Sequence, residues 1–229
     1  MIQKLSLVTE IMERVLNMSI SNPKKVSLAI AAAGAVPSVA VAARKKAVSK
    51  LMAGIRDDDA KVRTEAWQSA GEVGAPAVKP LARVMTNEEL EVARAAKRGL
   101  WKIVRHVGRP KSGNKKRAVI GKLVELLSDD QPVPVRREVL WMLSEIGDRN
   151  SIKPMAALLS NKELREDARM ALQRIPGRGS LAALKTALKK APDDFKLNIA
   201  QSLRQRGAKV RGLDCIKLIP TKNTNVKSL

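Results

Sequence analysis

The chain has no tyrosine and a single phenylalanine, Phe195, and only 2% of its residues are aromatic although 45% are hydrophobic. Its core must therefore be built from Ala, Val, Leu and Ile. Small aliphatics of this kind suit closely packed helices. They suit a β-sandwich poorly, because strands draw on aromatic side chains that are scarce here. Cysteine is just as sparse: Cys215 is alone, which excludes an internal disulfide, a thiolate cluster for zinc and a CxxC redox pair. His106 is the only histidine, so any Ser/His or Cys/His constellation would have to run through one residue in a basic segment far along the chain from Cys215. No catalytic residue, cofactor, metal ligand or small-molecule substrate is expected from such a set.

Acidic residues are also in short supply. Against 44 Lys and Arg stand 22 Asp and Glu, leaving a formal charge of +22 and a pI near 10.6. A surplus of this size repels itself in the folded chain and attracts a polyanion, whether nucleic acid, an anionic surface or an acidic protein.

Long apolar runs are missing too. The uncharged stretch from Val26 to Ala43 is rich in Ala, is interrupted by Gly34 and Pro37, and is too short to predict a membrane span. Lys24 and Lys25 ahead of it, and Ala40-Val41-Ala42 near its end, give residues 18–42 the look of an export signal. Residues 1–17 point the other way. Ile2, Leu5, Val8, Ile11, Met12, Val15 and Leu16 share one helical face beside Glu10, Glu13 and Arg14, the pattern of an amphipathic helix. The expectation is a retained helical hairpin over 1–43 in a cytoplasmic protein, with export as the alternative.

What is present is a repeat. A frame that starts at Val62 and continues Arg63-Thr64-Glu65-Ala66-Trp67-Gln68-Ser69-Ala70-Gly71-Glu72-Val73-Gly74 recurs from Val92, Val135, Leu164 and Phe195. Its fifth position holds Ala66, Ala96, Val139, Ala168 and Ile199, and its ninth Ala70, Leu100, Leu143, Leu172 and Leu203. Steps of four keep both on one helical face. The twelfth position holds Val73, Ile103, Ile146 and Ile175 before Arg206 breaks the series, and Gly74, Gly147, Pro176 or Gly207 then stops the helix. Ahead of each frame stands a turn with Asp or Asn (Asp57 to Asp59, Asn87, Asp129 and Asp130, Asn161, Asp193 and Asp194), the residue types that cap a following helix. A second amphipathic segment separates successive frames, so each unit is a helical hairpin. A weaker copy over 22–36 brings the expectation to about six pairs.

The turn Asp57-Asp58-Asp59-Ala60-Lys61-Val62-Arg63, followed by Ala66, Ala70, Gly71, Val73 and Gly74, resembles the HEAT repeat, in the short form of about 30 residues also found in phycobilin-lyase-like proteins. The resemblance covers about 44–207 and implies an all-α fold, a right-handed α-solenoid of stacked antiparallel helix pairs. A cap at 1–43 and a basic segment at 208–229 would flank it. It also implies that Arg63, Arg136, Arg165 and Lys196, which share the second frame position, form a ladder with turn Asp residues of adjacent repeats. Trp67, Trp101 and Trp141 fall at the sixth, tenth and seventh positions and make no repeated stripe, so packing or edge filling is expected of them rather than base stacking.

The charge is uneven. About a dozen residues are inserted between the frames at Val92 and Val135, and this basic insertion at 105–117 carries Arg105, Arg109, Lys111, Lys115, Lys116 and Arg117 with no acid. Its Gly and Pro predict a loop without core residues, able to place cations on phosphates. Arg94, Lys97, Arg98, Lys102 and Arg105 step by three or four along one helix. Arg169 repeats the frame position of Lys97, and Arg174 that of Lys102, which would align cations across repeats on the face that is usually concave in HEAT solenoids. These twelve residues are the candidate contacts. The expected function is a non-enzymatic scaffold that binds a polyanion, nucleic acid (DNA or RNA) first and through its phosphates, with an adaptor for an acidic protein as the alternative. The fold also serves DNA glycosylases and lyase subunits. The glycosylases rely on aromatic residues and an acidic group in a cleft, and this chain is poor in aromatics.

Overall fold

The computed structural model describes residues 41–86 and 89–213. The chain divides into two compact units, Met1–Ala47 and Val48–Leu229. In the first unit the described residues, 41–47, are helical. The rest of the hairpin expected over 1–43 lies outside the described residues, as do Asn87, Cys215 and most of the basic segment at 208–229.

The second unit contains no strand among its described residues. It opens with α1, helical over 48–55. Then follow α2 (Ala60–Val73), α3 (Ala75–Val84), α4 (Leu90–Val107), α5 (Gly113–Glu125) and α6 (Val133–Ile146). The series ends with α7 (Arg149–Ala157) and a 3-10 turn Leu158–Ser160, α8 (Arg165–Arg174), α9 (Arg178–Lys190) and α10 (Asp193–Gln205). These make five hairpins. Helices α3, α5, α7 and α9 pack on one another in order, and so do α2, α4, α6, α8 and α10. Two parallel rows in which each hairpin touches its neighbours in sequence define a solenoid.

The repeated stripe becomes the core between rows. Ala70, Leu100, Leu143, Leu172 and Leu203 at the ninth frame position are all buried, as are Ala96, Val139, Ala168 and Ile199 at the fifth. The turns between hairpins use two different devices. Gly74, between α2 and α3, has φ +68°, a conformation that glycine adopts without a Cβ penalty. Gly147, between α6 and α7, has an ordinary φ of −55°, and its value lies in space. A Cβ there would come 2.7 Å from Ile175 Cδ1 and 2.8 Å from Ser151 Oγ, and would press on the Leu143 carbonyl.

Turn residues cap as expected only in part. The Asp59 side chain accepts from the Lys61 N–H at 2.7 Å, and the Asn161 side chain accepts from the Glu163 and Leu164 N–H groups at 3.0 and 3.2 Å. Asp193 and Asp194 instead stand inside the first turn of α10, after Pro192, where negative charge meets the positive end of the helix dipole. Asp130 bonds to Ser128 and Gln131 in its own turn.

The arginine ladder also differs from expectation. Arg165 does reach the next repeat: its guanidinium bonds Asp194 at 2.6 Å and lies 4.8 Å over the Phe195 ring. Arg63 donates to its own turn, to the carbonyls of Asp57 and Asp58 at 2.7 and 2.8 Å, Arg136 pairs with Asp129 at 2.6 Å, and Lys196 pairs with Asp193 at 2.8 Å. The second frame position therefore ties each helix mainly to its own entry turn. A long side chain at the start of a helix meets the preceding turn before it can span the gap to the next repeat.

The most demanding cross-repeat bond is made by a residue that breaks the stripe. Arg206 Nη1 donates to the carbonyls of Leu172, Gln173 and Ile175 and to Ser180 Oγ at 2.7–3.1 Å, and Nη2 donates to the Gly177 carbonyl at 2.9 Å. The last carbonyls of a helix have no partner within it. Arg206 supplies one from the following hairpin, so α8 is capped by α10. Beyond it, Ala208 and Val210 pack against the core.

Four expectations follow for stability, each readable by urea or thermal unfolding. Leu143→Ala opens a cavity between repeats and should cost about 2–5 kcal/mol, while Gly147→Ala should destabilise despite the usual preference for Ala. Arg136 has its side chain 5% exposed against 93% for Asp129, and its Nε is buried without a partner, so Arg136→Met, which keeps the packed stem and discards the orphaned donor, should cost less than Arg136→Ala. Arg165 beside Asp194 holds that carboxyl below its ordinary range. The stability due to the pair is thus fully present above the unfolded Asp value, about 3.9, and is lost as pH falls through the folded value. Asp194→Asn should flatten that acid limb, and an unchanged limb would remove the pair from the account.

Candidate nucleic-acid interface

The expected loop at 105–117 is mostly helix. Arg105, His106 and Val107 complete α4, and Lys115, Lys116 and Arg117 lie in α5, leaving Gly108–Ser112 as the connection. The inserted residues were absorbed by lengthening two helices because the apolar period runs on beneath the charges: Val104 and Val107 are buried in α4, and Val119 and Ile120 in α5. His106 lies against Gly71, where an added Cβ would be 3.0 Å from its own Cβ. The insertion therefore contributes to the core. In the connection, Lys111 takes φ +66°, which turns the chain sharply into α5.

On the solvent side of the second-helix row, side chains at neighbouring positions meet across repeats. From α4 to α6, Glu138 receives Lys97 Nζ at 2.7 Å and Trp101 Nε1 at 2.5 Å. From α6 to α8, Asp167 receives Arg137 Nε at 3.0 Å and Trp141 Nε1 at 3.0 Å, and Glu145 receives Arg174 Nη2 at 2.5 Å. From α8 to α10, Arg169 donates to Ser202 Oγ at 2.6 Å and pairs with Glu166 at 2.7 Å, while Asn198 reaches Glu166 and Gln173 reaches Gln205. The cation row expected from Lys97 with Arg169 and Lys102 with Arg174 is thus interrupted, since both arginines are held by acids or hydroxyls of the scaffold.

A different set stays together on α4. Trp67, Arg94, Lys97, Arg98, Trp101 and Arg105 line one open depression of about 470 Å³. Trp101 and Arg105 also border a second, of about 620 Å³, with Arg109 and Glu145. Within the first, Arg94 pairs with Glu91 of its own helix at 2.7 Å and Lys97 with Glu138. The remaining guanidinium groups face rings: Arg98 lies 5.9 Å over Trp67, and Arg105 lies 5.7 Å over Trp101. Among the described residues no acid pairs with Arg98, Lys102, Arg105, Arg109, Lys111, Lys115 or Lys116. Arg117 bonds Asn114 on α5.

Trp67 and Trp101 sit at the edge of the core, as edge filling predicts. Sequence reading missed what their outer faces meet. The Trp101 and Arg105 pair was accessible as an i, i+4 contact, whereas Trp67 with Arg98 depends on how α2 packs on α4. Elsewhere, Glu125 receives Lys122 at 2.7 Å and Lys79 at 2.5 Å, and these lysines hold its carboxyl below the usual range. Among the described residues no group of three or more His, Cys, Asp or Glu is placed to hold a metal ion. Among them, too, no helix is long and apolar enough to cross a membrane.

Two engineered proteins of known crystal structure each match with 23% identity and a TM-score of 0.38; one alignment covers 69% and the other 68% of this chain, and each covers 78% of the engineered chain. No curated protein matches the chain. Residues 117–204, which hold most of α5 and all of α6 to α9, match the family model of HEAT repeats, and the two helical rows and the repeated stripe continue the same helix-pair pattern through the described residues ahead of that stretch.

Proposed function

We propose that this chain is a non-enzymatic scaffold that binds nucleic acid through its phosphates, with the contact centred on α4 and the turn into α5. The observation that carries the reading is the contrast within the second-helix row. Among α6, α8 and α10, Arg137, Arg174 and Arg169 are matched by Asp167, Glu145 and Glu166 or by the Ser202 hydroxyl, and on α4 itself Arg94 and Lys97 are matched by Glu91 and Glu138. Among the described residues no acid pairs with Arg98, Lys102, Arg105 or Arg109 on α4 and the following turn. An excess of +22 concentrated in this way places a positive potential where a phosphate chain can release its counterions.

Arg94 and Lys97 flank the same depression, and Lys111, Lys115, Lys116 and Arg117 extend the positive surface along the turn and α5. Arg169 and Arg174, engaged by the scaffold, contribute to the field rather than to contact.

The test is salt dependence. Replacing Arg98, Lys102, Arg105 and Arg109 together with Gln should weaken binding without regard to base sequence. It should also flatten the slope of log K against log salt by roughly 3 units, at about 0.7–0.9 per lost phosphate contact. Replacing Lys115, Lys116 and Arg117 should have a smaller effect. An unchanged slope in the quadruple variant would overturn this placement, and equal affinity for polyglutamate would move the reading to an acidic protein partner.

A further inference from the structure

The interface pairs cations with indole rings in an alternating order, and phosphate binding alone makes no use of the rings. Arg98 follows Trp67, Trp101 lies three residues beyond Arg98 on α4, and Arg105 stacks on Trp101 and leads to Arg109 in the adjoining depression. Resting on the reading above, we infer that the strand bound here is single-stranded, with unpaired bases stacked on Trp67 and Trp101 while Arg98, Lys102, Arg105 and Arg109 take the phosphates between them.

Several features lead to this conclusion. Trp101 is a fixed platform: its indole N–H is held by Glu138 at 2.5 Å, and Glu138 is itself held by Lys97 at 2.7 Å, so the ring is oriented by two neighbouring helices. Trp67 is fixed by packing at the core edge, and its buried Nε1 has no acceptor among the described residues, unlike those of Trp101 and Trp141. Each guanidinium over a ring is held by a weak attraction that a phosphate exceeds, because charge-assisted bonds to an anion are stronger than a cation–π contact. When Arg98 and Arg105 turn to phosphates, the ring faces become open to bases.

The spacing agrees. Arg98 and Arg105 are seven residues apart on one helix, roughly 10 Å along its axis, the span of about three stacked nucleotides at 3.4 Å each. A duplex keeps its bases inside the stack and has nothing to offer two indole faces, whereas every unpaired base has a π-face.

The experiment compares oligomers of equal charge on the intact chain: an oligothymidylate about a dozen nucleotides long, an abasic oligomer of the same length, and a duplex. Expected are quenching of tryptophan emission by the oligothymidylate and an affinity roughly 5- to 100-fold above that for the abasic oligomer, the range of one stacked base. The duplex should fall with the abasic strand. Trp101→Leu should lower that ratio while leaving abasic binding in place, and Trp101→Phe should restore most of it. Equal affinity of the wild type for thymidylate and abasic strands would overturn base stacking and leave phosphate binding standing, as would tighter binding of the duplex. Failure to bind any of the three at low salt would instead sink the phosphate reading itself.

Discussion

Everything else in this molecule depends on the burial of small aliphatic side chains between successive hairpins. Among the described residues the buried core is aliphatic apart from Phe195, so a single hairpin has little with which to close over its own apolar face. Ala70, Leu100, Leu143, Leu172 and Leu203 become buried only when the next pair stacks on them. Fully burying each such Leu contributes on the order of 2 kcal/mol, and the gain recurs at every interface. The same demand explains why glycine is used for space as well as for conformation. Gly147 lets the turn after α6 approach Ile175, and Gly71 admits His106.

That constraint frees the outer face of the second-helix row from any role in burial, and the chain uses the face in two ways. From α6 to α10 it carries bonds between repeats, with Glu138, Glu145, Glu166 and Asp167 set against cations or amides of adjacent helices. On α4 Arg94 and Lys97 take up Glu91 and Glu138, and two tryptophans stand where the partners of Arg98 and Arg105 would be. The same frame positions therefore build structure in one half of the solenoid and an exposed cationic surface in the other.

The helical rows were legible in the sequence because the stripe obeys a four-residue step that no turn or strand imitates. The basic insertion was not. Gly108, Pro110 and a density of Lys and Arg read as a loop, while Val104, Val107 and Val119 kept the helical period beneath them. Sequence spacing also placed Arg63, Arg136 and Arg165 at one register without revealing their partners. A guanidinium on a long stem chooses between its own turn and the next repeat by local geometry, and Arg136 and Arg165 choose differently. Arg206 was read as a defect in the stripe. Its carbonyl partners lie 29 to 34 residues earlier in the chain, a link that only stacking creates.

The uneven distribution of cross-links also sets the mechanics of the rod. The joint between α2 and α4 rests on surface fit, with Gly71 against His106 and Gly99 against Leu81 and Ala70, together with one guanidinium over a ring. The joints from α6 to α10 add ion pairs and a five-acceptor clamp. A joint held mainly by close packing is nearly indifferent to ionic strength. One held by charges is stiff against slip and softens as salt screens it. Among the described residues, the joints from α6 to α10 therefore respond to ionic strength, while the joint beside the cationic face depends on close packing.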